Sequence, residues 1–104
     1  MTTIAEAARA VARVAKLLEP AGSRYVRGAL SLTPTGDYAK FRHGLAIDLE
    51  WLTGAPLRAF SPERAAAINE AAAVALAALP DQIDERFFTA LKTALADNPN
   101  GGRR

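Results

Sequence analysis

The most constraining feature of the chain is a helical repeat at its start. Ile4, Ala8, Val11, Ala15 and Leu18 recur every three or four residues. Thr3 and Glu6 stand at capping-box spacing before this stripe, and Pro20 and Gly22 follow it as a stop. An apolar stripe of this kind has to be buried against other elements, and because most of its members are small, neighbouring helices can approach closely. With 104 residues there is material for one core. An alanine-dominated core carries few large side chains, so we expect either a modest monomer or a dimer that completes its core by association. At about 100° per residue, Arg9, Arg13 and Lys16 fall opposite the stripe. That outward face suits phosphate contact or plain solvation.

The last third of the sequence has the same character. Ser61 and Pro62 supply a cap and a first-turn proline, and Ala65, Ile68, Ala72, Leu76 and Leu79 form a stripe that stops at Pro80. Asp81 is then placed to cap a closing helix with Ile83, Phe87, Leu91 and Leu95 as its buried line. So short a connection predicts a C-terminal antiparallel helix pair, with Phe87 and Phe88 providing its bulk. The fold class expected is all-α, a small helical domain over residues 1–97. The tail 98–104 (NPNGGRR) is too rich in Asn, Pro and Gly to fold.

The centre supports two readings. By twos, Leu45, Ile47, Leu49 and Trp51 alternate with Ala46, Asp48 and Glu50, as in a half-buried strand. A β-hairpin then pairs residues 24–33 with 38–51 across the turn Pro34-Thr35-Gly36-Asp37, placing Leu32, Leu30, Gly28 and Val26 opposite Ala39, Phe41, His43 and Leu45. That is the α+β alternative. Read as helix, the same segment closes one short helix at Ile47 and opens another capped by Asp48, with Leu49 and Leu52 packing inward and Gly54 taking a left-handed stop.

The helical reading also carries a resemblance. Ser23, Arg24, Tyr25, Arg27 and Gly28 match the end of a recognition helix, and Thr33-Pro34 matches the start of the next helix. Leu45, Ile47, Asp48, Leu49, Glu50, Trp51, Leu52, Thr53 and Gly54 match a closing element. Over residues 23–54 the chain resembles the second half of phage-repressor or Xre-type helix-turn-helix domains. The resemblance implies a sequence-specific, repressor-type DNA-binding transcriptional regulator of phage or bacterial kind. Ser23, Arg24, Tyr25 and Arg27 would approach the major groove, Arg13, Lys16 and Lys40 would hold phosphates, and a homodimer would form through the C-terminal helices. Trp51 and Leu52 are expected to pack behind that surface.

Charge placement agrees with a polyanion partner. From Arg9 to Arg42 seven basic residues stand against Glu19 and Asp37, a balance of +5, whereas His43 to Asn100 carries −4. The chain has no cysteine and a single histidine, His43, which excludes disulfides, thiolate chemistry and any intrachain two-histidine metal site. No glycine-rich phosphate loop is present outside the tail. We therefore expect no enzymatic activity and no cofactor. No apolar run approaches the length of a membrane span and the start lacks a signal-peptide core, so a cytoplasmic location is expected. The alternative function is a non-catalytic protein–protein interaction module or accessory protein built around the central hairpin.

Overall fold

Helix α1, Ile4–Leu18, begins with the reciprocal cap expected of Thr3 and Glu6. The Glu6 amide donates to Thr3 Oγ1 at 3.1 Å, and the Thr3 amide donates to Glu6 Oε1 at 2.8 Å. These bonds satisfy two amides that have no partner within the helix. The helix passes into a single 3-10 turn, Glu19–Ala21, and stops at Gly22, whose φ of +98° lies where side chains are strained. This computed structural model describes residues 3–22, 29–30 and 37–96.

Helix α2, Tyr38–Gly54, settles the central ambiguity for its half of the segment. It is one unbroken helix, capped by Asp37, whose Oδ1 accepts from the amides of Ala39 at 3.0 Å and Lys40 at 3.2 Å. The strand expected over 38–51 is not formed, and neither is the helix break at Asp48. Residues 24–28 and 31–33 of the hairpin's other half lie outside the described residues. Alternation by twos misleads here because residues two apart on a helix differ by about 200°. Leu45 and Leu49 therefore share the buried face with Phe41 and Leu52, while Ile47 and Trp51 share the opposite one. Leu49 and Leu52 pack inward as expected, but Trp51 is 57% exposed, so its expected packing role is corrected.

The end of α2 also differs from expectation. Gly54 is still helical and is followed by Ala55 in an extended conformation, with φ −69° and ψ 145°. The left-handed position falls instead on Leu57, with φ +48°. A leucine there costs roughly 1–2 kcal/mol, which burial of its side chain offsets. Pro56 has no N–H, so the Leu52 carbonyl four residues earlier lacks its helical donor. Asn69 supplies one, with Nδ2 donating to Leu52 O at 2.6 Å and to Ala55 O at 3.3 Å. Asn69→Ala is expected to destabilise the fold by about 1–3 kcal/mol, since it leaves partly buried carbonyls unpaired. Urea unfolding checks this, and an unchanged midpoint would mean that solvent replaces the amide without loss.

Helix α3, Pro62–Ala78, has the cap and first-turn proline read from the sequence, Ser61 Oγ accepting from the Arg64 amide at 3.2 Å. Helix α4, Glu85–Ala96, starts later than expected. Its cap is Asp84, whose Oδ1 accepts from the Arg86 amide at 2.9 Å, and Asp81 is exposed in the connection. Asp84 also pairs with the Arg86 guanidinium at 3.0 Å. The buried line of α4 is Phe87, Phe88, Leu91 and Ala94, with Ile83 and Leu95 only partly covered.

Four α-helices and no strand occur among the described residues. The expected antiparallel pairing of the last two helices is not their main packing: α3 and α4 each pack on α1, and α2 packs on α3. An aromatic cluster ties the start of α2 to α4, with Phe88 centred 4.4 Å from Phe41 and 5.4 Å from Tyr38. Arg42 Nε donates to Pro80 O at 2.8 Å and fixes α2 to the α3–α4 connection. No charged or polar side chain is buried among the described residues.

Candidate anion-binding surface

The side of α1 that does not enter the core carries Arg9, Arg13 and Lys16 at spacings of four and three residues, which puts them on one face. Because α3 packs against α1, the first turn of α3 brings Arg64 to the same face. The four cations line a cleft of about 370 Å³ together with Ala12 and Leu17 of α1 and Ala94 of α4, and among the described residues no carboxylate lines it. Arg9 and Arg13 are exposed, while Lys16 and Arg64 are partly covered.

Glu6 is held below the usual glutamate range, first by the Thr3 amide, then by the Thr3 hydroxyl, with the positive charge of Arg9 adding to this. Arg13 also borders a second, smaller hollow that contains Glu70. Asp84, far along the chain, is lowered by the Arg86 side chain and then by the Arg86 amide. Both carboxylates have folded-state pKa values below their unfolded ones. Their contribution to stability is therefore complete above the ordinary carboxylate range and is lost as pH falls through the lowered values.

Like charges gathered around one cleft repel one another, and water screens that repulsion only in part. A phosphate chain relieves the repulsion and releases its own counterions on binding. The cleft is thus suited to an extended polyanion, and its apolar lining provides no donor set for a particular small molecule. Among the described residues no group of three or more histidine, cysteine or acidic side chains is placed to hold a metal ion.

Arg13 and Lys16, two of the phosphate contacts read from the sequence, line this cleft. Lys40 is exposed in the first turn of α2 and does not line it. Ser23, Arg24, Tyr25 and Arg27 lie outside the described residues. Arg64 was not expected, because it belongs to the acidic half of the chain and reaches the cleft only through the docking of α3 on α1. Arg9 was legible as part of the outward stripe of α1. His43 is exposed on α2 and does not line the cleft. Comparison of the chain with protein-family models, curated proteins and solved structures finds no match.

Proposed function

We propose that the protein is a small helical DNA-binding regulator of repressor type that grips the phosphate backbone with Arg9, Arg13, Lys16 and Arg64. The observation that carries this reading is the meeting of four cations from two helices around one cleft with no acidic side chain in its lining among the described residues. In such modules backbone contacts give affinity and position, and a few groove-facing side chains give sequence choice. Arg24, Arg27, Ser23 and Tyr25 are proposed for the second role on the strength of the repressor-type resemblance alone. A homodimer belongs to this reading, since two-fold regulators bind paired half-sites. No cofactor or catalysis is part of it, and a cytoplasmic setting is its natural one.

Fluorescence anisotropy with a labelled duplex at stepped salt tests the proposal. Log affinity is expected to fall linearly with log salt at a slope of about −0.9 per phosphate neutralised, about −3 to −4 for the four cations of the cleft. Enrichment of one sequence from a random pool would then separate a regulator from a general DNA coat. Absence of salt-sensitive retention on any duplex overturns the reading. The second reading, a non-catalytic interaction module, is favoured by the exposure of Ile47, Trp51 and Val74.

A further inference from the structure

Helix α2 buries one apolar face and leaves a second one in solvent. At about 100° per residue the outward face centres on Lys40, Gly44, Ile47 and Trp51, opposite the buried Phe41, Leu45, Leu49 and Leu52. Ile47 is 51% exposed, and with the exposure of Trp51 this puts two of the largest apolar side chains of the helix in water, one turn apart. Each is a small loss for a monomer, and together they make a contiguous patch.

The spacing of residues in this stripe is symmetric. Its members are spaced four, three and four apart, so the stripe reads alike in both directions about its midpoint between Leu45 and Ala46. When two copies of α2 lie antiparallel about a two-fold axis through that midpoint, Lys40 of each copy stands level with Trp51 of the other. Gly44, which has no side chain, stands level with Ile47. The ammonium of Lys40 then lies against an indole face, a favourable cation–π arrangement, and beside Glu50 of the second copy. His43 of the second copy comes to the same flank as Glu50. The pattern is self-complementary in both shape and charge, as a two-fold contact requires.

We propose that the outward face of α2 is a homodimer contact, in which Lys40, Ile47, Glu50 and Trp51 of one copy meet the same residues of a second copy in antiparallel register. This contact does not depend on DNA binding, and it places the dimer on α2 instead of the C-terminal helices.

The full chain provides its own probe, because Trp51 is the sole tryptophan. Sedimentation velocity from the low micromolar to the high micromolar range should show a monomer–dimer equilibrium, and Trp51 emission should shift to the blue over the same concentrations. Ile47→Asp is expected to abolish both changes while leaving the helical circular dichroism intact. Lys40→Glu and Glu50→Lys should each weaken association by about tenfold, since each two-fold contact loses two favourable charge relations and gains like-charge ones. An equimolar mixture of the two variants, or the double variant Lys40→Glu/Glu50→Lys, should recover most of the loss, a rescue that nonspecific stickiness would not give. A chain that remains monomeric with fixed emission at all concentrations overturns the proposal. So does a dimer that forms equally well in Ile47→Asp, which locates the contact elsewhere, or a stripe that binds only a different protein.

Discussion

Phe87→Ala should reduce the unfolding free energy by about 3–5 kcal/mol, the range for removing a fully buried aromatic ring. Phe87 has no exposed surface and stands edge-on to Phe88 at 6.3 Å between ring centres. Its helix, α4, is joined to the rest mainly by packing on α1, whose buried residues are largely alanine and valine. Side chains that small cannot expand into the space a ring leaves, so most of the cavity would persist. A domain of this size has about 5–15 kcal/mol in hand, so the variant should unfold at a much lower urea concentration and lose part of its helix content at 37 °C. Trp51→Ala is the informative contrast, with an expected change within about 0.5 kcal/mol at concentrations where the chain is monomeric, because an exposed ring removes little buried surface. A loss below about 1.5 kcal/mol for Phe87→Ala would mean that α4 is not anchored through this ring.

The contrast between those two aromatics also shows what could be read from the sequence. The ends of the chain were legible because their signals are local and redundant. At Thr3 and Ser61 a capping side chain, a first-turn residue and an apolar period all agree, and each cap is present. The centre was not legible because the alternation from Leu45 to Trp51 fits a strand with one buried face and a helix with two apolar faces equally well. Only tertiary packing decides between them, and it puts Leu49 inside and Trp51 outside. At the start of α4 two aspartates compete, and Asp84 wins over Asp81 with Glu85 in the first helical turn, where the helix dipole favours an acid. The candidate site divides in the same manner. Arg13 and Lys16 follow from the helical wheel of α1, whereas Arg64 lies 48 positions further along than Lys16 and joins them by docking alone.

That tertiary origin makes the cleft testable as a unit. The triple variant Arg9→Ala/Arg13→Ala/Arg64→Ala should bind a DNA duplex about 10²–10³-fold more weakly at 0.1 M salt and reduce the slope of log affinity against log salt by about 2.7, the loss of three phosphate contacts. All three side chains are solvent-facing or partly so, and none contributes to the buried core. The helical circular dichroism and urea midpoint should therefore stay near those of the parent chain. The single change Arg64→Ala carries the sharpest information. It should lower the slope by about 0.9, as Arg13→Ala does, although the two residues lie on different helices and in oppositely charged halves of the sequence. Equal effects from both would support one surface built by the fold. A slope that responds to Arg9 and Arg13 but not to Arg64 would confine the contact to the outward face of α1, and the α3 side of the cleft would then have no part in binding.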